Sequence, residues 1–315
     1  MPCPDIPRHP AGPIAPTYGG SRYHNLPPVY GQDVEQSRLG PPIDVRPLLG
    51  PERKALVDLL ASLDKGEWNT ATPCPGWSVH HLALHLVHDD LRRLSAQRDG
   101  HAGMWLVDIP LDELAVALDE ANSQWVRLAA PTISPQLTLE LLVWLATPSE
   151  ALLAGLDPKA KGMTVSWAGA GPHPNWLDVA REYTERWVHQ QQIRQAVARP
   201  GFEQREYLEP VVDTFVRALP TILPPRPAGT QVQLRVTSPF KRNWAIQASE
   251  GGWCFAAPST QPAAVVAATA DAVWRRAVRM LSRNEARFRS QVEGDGELTA
   301  AVLDLRSAIV RNNAS

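Results

Sequence analysis

The chain has few cysteines and almost no net charge. Its 315 residues include three cysteines, Cys3, Cys74 and Cys254, none of them in a CxxC pair. This spacing excludes a disulfide framework and a zinc knuckle. The 31 basic and 33 acidic residues leave a net charge of −2. The composition therefore gives no electrostatic reason to expect binding to nucleic acid or to an anionic membrane.

Long apolar runs and targeting signals are lacking as well. No stretch of 18 consecutive apolar residues occurs, so the sequence predicts no transmembrane helix and no membrane partner. The first residues, MPCPDIPRHPAGP, lack the basic start and the apolar stretch of a signal peptide. We therefore expect a soluble cytoplasmic protein.

The composition along the chain predicts four segments. Residues 1–43 are rich in proline, glycine and tyrosine without periodicity, which is typical of an extended tail. Residues 44–219 show successive helical patterns with short links and predict an up-and-down four-helix bundle. A proline-rich linker over 220–230 precedes a small α+β domain over 231–312. The expected fold class is thus α+β, mainly α.

Capping residues and periodicity predict where the helices and strands begin. Pro51 suits the first helix, Ser78 caps a second helix that runs to about residue 97, and Asn175 caps a helix to about residue 197. The other predicted helices cover 111–130, 135 onward with a break near Pro148, 207–219, 269–281 and 298–310. The predicted strands cover 231–237, 243–249, 252–258 and 288–295.

Two of these helices carry a set of candidate metal ligands. Glu185 and His189 are four residues apart on one helix and project side by side. His85 lies at the edge of the core face of an earlier helix. Facing helices of a bundle commonly supply metal ligands, and a three-ligand set leaves positions open for substrate. Taken separately, the pair also suits an exposed ion pair, and His85 suits a packed or exposed histidine.

Two sequence blocks around these residues resemble a known family. The first is TPCPGWSV at 72–79, followed by His85, and the second is ERWVHQQQI at 185–193, followed by an AVARPG turn at 196–201. In this order they are similar to the signature of the mycothiol-dependent maleylpyruvate isomerase family, part of the DinB-like helical-bundle superfamily. The resemblance extends over about 44–310. Two segments, 270–278 and 292–298, look like the sterol-carrier-like C-terminal domain of that family.

The resemblance implies a metal-dependent enzyme. The family's three ligands correspond to His85, Glu185 and His189, and zinc suits a site of two histidines and one carboxylate, although iron, nickel or cobalt would also fit. The implied partners are a small thiol such as mycothiol and a small electrophilic substrate, for isomerisation or S-transfer. Two alternatives stay open: a thiol-independent lyase, cyclase or hydrolase of the same fold, and a non-catalytic protein that binds a metal or an apolar ligand.

Other residues are weaker candidates for the pocket. Large aromatics near the predicted site could bind the cofactor or pack in the core, namely Trp77, Trp167 and Trp176. His81 and His88, each about one turn from His85, could act in acid–base chemistry or lie on a solvated face. Arg289, with its neighbour Arg287, could bind an anionic substrate.

Overall fold

The computed structural model describes residues 38–101, 111–307 and 309. Most of the predicted tail, up to residue 37, therefore lies outside the described residues. The end of that segment packs on the body of the protein. Leu39 and Ile43 are buried, and the Arg217 guanidinium donates a 2.6 Å hydrogen bond to the Leu39 carbonyl.

Five helices form the first half of the protein. They are α1 (Arg46–Ala61), α2 (Val79–Arg93), α3 (Leu111–Ala129), α4 (Pro135–Gly155) and α5 (Asn175–Ala196). Both α1 and α2 pack against α4 and α5, so these four make a bundle with α1 and α2 at opposite corners. Helix α3 packs on α2 outside the bundle. The predicted helical bundle is confirmed.

Several helix ends differ from the prediction. Helix α1 begins at Arg46, because Pro47 already fits the first turn, and Pro51 lies inside the helix. Helix α4 passes through Pro148 without a break; the carbonyl that loses its bond there belongs to Trp144, which is on the solvent side. Asn175 does not cap α5, since its amide donates to the Asp157 carbonyl instead.

Helix α4 is more apolar than the count of consecutive apolar residues suggested. Its best 18-residue window has a mean hydropathy of 1.4, which by length and composition alone suits a membrane span. Only 28% of that window is buried, and Trp144 is 68% exposed. The buried positions, among them Leu142 and Leu145, recur at helical spacing and face the bundle.

The second half is a small α+β domain. Helices α6 (Arg205–Val216) and α7 (Leu219–Ile222) lead to a five-stranded mixed sheet of order β3–β2–β1–β4–β5. The strands are β1 (Gln231–Val236), β2 (Arg242–Ser249), β3 (Gly252–Ala256), β4 (Ala264–Ala268) and β5 (Ser290–Gly294), and the helices are α8 (Ala270–Ala277), α9 (Arg283–Phe288) and α10 (Gly296–Val302).

Strand β4 and helix α9 were missed from the sequence. Strand β4 lies inside the sheet, parallel to β1 and antiparallel to β5, and nearly all of it is buried. An interior strand covered on both faces shows an unbroken apolar run and not alternation, so its period gives no strand signal. Helix α9 is too short, at six residues, for a helical period to show.

One apolar core continues from the bundle into the second domain. Trp187 of α5 and Trp274 of α8, both fully buried, meet edge to face with 5.3 Å between ring centroids. Helix α5 therefore packs against the second domain on one side. On another side it faces α2, and the candidate ligands lie there.

Candidate metal centre

The structure brings His85, Glu185 and His189 together between α2 and α5. One donor atom from each lies within 4.8 Å of one from each of the others. The two imidazole rings are perpendicular, with 4.9 Å between centroids, and both histidines are buried. Glu185 keeps 17% of its side chain exposed, so a small molecule can reach the group on that side.

Hydrogen bonds fix how these side chains point. Glu185 places Oε1 3.3 Å from His85 Nε2, while its Oε2 accepts a 2.7 Å hydrogen bond from Arg181. His189 Nδ1 lies 2.8 Å from Gln192 Oε1, an acceptor, so Nδ1 carries the proton. The Nε2 lone pair of His189 is thereby left for a metal ion, as in known sites where a partner fixes the tautomer.

Burial and nearby charges keep Glu185 ionised and His189 neutral, which are the forms that bind a metal ion. Burial acts to raise the pKa of Glu185, but the hydrogen bond from His85 and the charge of Arg181 outweigh it and hold that pKa well below its usual range. Burial, together with the nearby His85, lowers the pKa of His189 to about 4. At neutral pH His189 is therefore uncharged and Glu185 is ionised.

When protonated, His85 carries a positive charge of its own and cannot bind a metal ion through the protonated nitrogen. Burial opposes its charged form, but the Asp89 and Glu185 carboxylates outweigh burial and raise the pKa of His85. A divalent ion offers those carboxylates the same compensation and leaves the imidazole neutral. Two imidazoles and a carboxylate thus fit a divalent transition metal.

A buried ionic network holds α1, α2 and α5 in register beside the triad. Asp90 of α2 lies 2.7 Å from both Arg53 of α1 and Arg186 of α5. Arg93 of α2 pairs with Asp178 at 2.8 Å and with Glu182 at 3.1 Å, both on α5. Charges so deeply buried are tolerated only when paired, so the network fixes where α2 and α5 meet.

Of the three candidate tryptophans, the structure brings only Trp77 to the triad. Its ring centroid is 5.3 Å from that of His85. Trp167 packs on Phe215 of α6 and donates from Nε1 to the Thr214 carbonyl. Trp176 lies beneath Arg217 in the same core, two and a half turns before Glu185. Trp167 and Trp176 thus take the packing role.

The three candidate catalytic residues lie in other surroundings. His81 accepts a hydrogen bond from the Ser78 amide and closes the capping box of α2. His88 stacks on Trp125 of α3 at 4.5 Å, and burial lowers its pKa to about 4. Arg289 is about half exposed and lies 3.9 Å from Asp271 in the second domain. His88 is also close enough to His85 for the charge of that imidazole to lower the pKa of His88 further.

Sequence reasoning missed three residues that touch the triad. Asp89 places Oδ2 3.3 Å from His85 Nε2, and Arg181 and Gln192 hold Glu185 and His189 as described above. Each lies three or four residues from the ligand it contacts, so each projects from the same helical face. The spacing is visible in the sequence. Many other residue pairs are also three or four positions apart, so the spacing alone does not single out these three residues. The glutamine beside the ligand, Gln190, points away and donates to Glu52.

Comparisons with known proteins agree with the sequence blocks. Residues 49–194 match the family model "Mycothiol maleylpyruvate isomerase N-terminal domain". No curated protein sequence matches. A crystal structure of the mycothiol-dependent maleylpyruvate isomerase is similar at 15% identity and a TM-score of 0.46, with 74% of this chain and 88% of that chain covered. A histidine-to-alanine mutant of that enzyme has 14% identity, a TM-score of 0.45 and the same coverage.

The matched region contains α2 to α4, most of α1 and α5, both sequence blocks and all three candidate ligands. The resemblance seen in the two blocks is thereby confirmed over this region. Residues 49–194 of this chain are similar to the mycothiol maleylpyruvate isomerase N-terminal domain.

Proposed function

We propose that this protein is a divalent-metal-dependent isomerase that uses a small thiol, mycothiol or a close analogue, on a small electrophilic substrate. The observation that carries the proposal is the convergence of His85, Glu185 and His189 from two helices, with Nδ1 of His189 engaged by Gln192. The family match supports the thiol and the reaction type. Maleylpyruvate is the first substrate to test, and zinc is the first metal.

The reaction requires a nucleophile that adds and leaves without net change. A thiolate adds to the cis double bond of an unsaturated keto acid, the resulting single bond rotates, and expulsion of the same thiolate leaves the trans isomer. A divalent ion held by the three residues would supply a positive field. That field would lower the pKa of a bound thiol or water toward neutral. S-transfer corresponds to the same addition without expulsion.

The protein's own residues position the candidate ligands and balance charge. Arg181 holds Glu185 of the triad, Arg92 holds the neighbouring Asp89, and both arginines are part-exposed. Each arginine offsets the charge of the carboxylate that it contacts. Trp77 closes the site beside His85 and keeps water from that side.

Binding of an apolar ligand in the second domain has less support. A crevice there is lined by apolar residues, including Leu234, Val266 and Val302, and by one cation, Arg276. The Arg276 guanidinium already donates to the Leu303 carbonyl at 2.8 Å and to Asp304 at 3.0 Å. It is therefore not available as the partner of a charged headgroup.

The test is thiol-dependent turnover by the metal-loaded protein. We expect isomerisation of maleylpyruvate with mycothiol and none without a thiol, and we expect His85→Ala to lower kcat/KM at least about 100-fold. His101→Ala, which removes an exposed histidine, is the matched control and should retain activity. Turnover that is equal with and without thiol would favour a thiol-independent enzyme. A folded, metal-loaded protein with no turnover on any electrophile would favour a binding protein.

A further inference from the structure

Two carboxylates, and not one, meet the first histidine of the triad. Glu185 Oε1 and Asp89 Oδ2 are each 3.3 Å from His85 Nε2. The two side chains are arranged alike. The outer oxygen of Glu185 accepts from Arg181 at 2.7 Å, and the outer oxygen of Asp89 accepts from Arg92 at 3.3 Å. Each arginine turns the inner oxygen toward the same imidazole nitrogen.

Asp89 is also more deeply buried than a helix-surface partner needs to be. Its side chain is 8% exposed, and that of His85 is 4% exposed. An exposed histidine–aspartate pair four residues apart would form on the helix surface and would not need burial. Each arginine engages only the outer oxygen of its carboxylate, so the two inner oxygens face the same imidazole nitrogen, where a divalent ion would bind them.

We propose that Asp89 is a fourth protein group of the metal site, contributing a carboxylate oxygen to the ion on the His85 side. The inference rests on the metal site of the proposed function. Asp89 is not one of the three residues whose donor atoms all lie within 4.8 Å of one another. Asp89 would thus join the residues that hold the ion as a second carboxylate, next to His85. The donor set becomes two imidazoles and two carboxylates, which balances the charge of a divalent ion.

The assignment makes Asp89 a determinant of metal affinity, and the test measures that affinity directly. Zn²⁺ dissociation constants are measured by competition with a chelator for the wild type and for Asp89→Asn, which keeps the shape and removes the charge. We expect affinity to fall roughly 10- to 100-fold, the range seen when a group that supports a metal site is lost. Asp89→Glu, which restores a carboxylate, should recover part of that loss.

The matched control is Asp58→Asn, the same change at an exposed position of α1. Asp58 pairs with Lys54 on the surface of that helix. Each variant is first checked for a cooperative thermal transition without metal. The visible spectrum of the Co²⁺-loaded protein supplies a second readout, because its bands depend on the number and type of ligands. We expect Asp89→Asn to change that spectrum and Asp58→Asn to leave it as in the wild type.

Three outcomes would overturn the assignment. These are Zn²⁺ affinity within twofold of wild type in Asp89→Asn, an equal loss of affinity in Asp58→Asn, or a Co²⁺ spectrum that is unchanged in Asp89→Asn. A wild-type protein that binds neither ion would instead remove the metal site itself, and with it the proposed function. The two failures are thus distinguishable.

Discussion

The candidate site depends on how a few side chains are held at the junction of two helices. His85 comes from α2, whereas Glu185 and His189 come from α5, and each is contacted by a neighbour on its own helix. A residue three or four positions away on a helix projects from the same face, so it can hold a candidate ligand in place. We therefore expect residues such as Gln192 to affect metal binding without being ligands.

A first prediction concerns Gln192. Gln192→Leu removes the acceptor that keeps the proton of His189 on Nδ1. We expect the metal dissociation constant to rise about 10-fold, with a folded helical protein. The control is Gln191→Leu, which removes the hydrogen bonds between the Gln191 amide and the Phe202 backbone. Chelator competition measures both variants, and equal affinities for Gln192→Leu and the wild type would contradict the assigned role.

The candidate ligands were easier to predict from the sequence than the aromatic residues around them. The three candidate ligands stand out in the sequence because two sequence blocks and the ExxxH spacing coincide. Trp167 and Trp176 were also candidates, because a loop rich in tryptophan next to a metal helix suits a pocket wall. The structure places both in the core around α6, since burial of large aromatics is decided by tertiary packing that a loop sequence does not show.

Among the elements, helices were easier to predict than strands. Ser78 and Ser134 cap α2 and α4 as their sequence patterns indicate. Strand β4 was not predicted because an interior strand shows no alternation of polar and apolar residues. The start of α1 and the break in α4 were predicted wrongly because a helix tolerates proline where the missing N–H is not needed.

A second prediction concerns the contact between α1 and α5. Glu52 of α1 is fully buried and accepts from the Gln190 amide, while its Oε2 has no hydrogen-bond partner within the described part of the chain. Burial raises the pKa of Glu52 to about 7. The protonated form is therefore favoured by the folded state. Protonated Glu52 therefore contributes to the free energy of unfolding. The contribution is complete below the ordinary pKa of glutamate and is lost as the pH rises through about 7.

We expect wild-type stability to fall between pH 5 and pH 8 by more than that of Glu52→Gln, which cannot ionise. Each unit of pKa shift corresponds to about 1.4 kcal/mol, so the difference amounts to a few kcal/mol at most. Urea unfolding at the two pH values measures it. Glu140→Gln, an exposed glutamate on α4, is the control. Parallel pH profiles for wild type and Glu52→Gln would contradict the role of burial at this position.

At the scale of the whole molecule, the bundle and the second domain share one core. Trp187 and Trp274 join α5 to α8, and the apolar cluster around them includes residues of both halves. Helix α5 therefore carries the candidate ligands Glu185 and His189 on one side and the domain contact on another. Movements of the second domain would be transmitted to α5 through this contact.

A third prediction follows from the shared core. Trp274→Ala should destabilise the protein by about 3–5 kcal/mol, as expected for loss of a fully buried tryptophan, and the two halves should still unfold in one transition. Trp144→Ala removes an exposed tryptophan and should change stability by less than about 0.5 kcal/mol. Calorimetry of both variants measures this. Two separate transitions in Trp274→Ala, with only one shifted, would show that the halves are independent.

The central claim, that His85, Glu185 and His189 bind one divalent ion, is tested most directly by elemental analysis. The purified wild type, His189→Ala and the control His101→Ala are compared after reconstitution with Zn²⁺ and removal of excess metal. We predict about one ion per chain in the wild type and control, and almost none in His189→Ala, with all three proteins folded. Equal metal content in His189→Ala and the wild type, or no metal in any of them, would contradict the account.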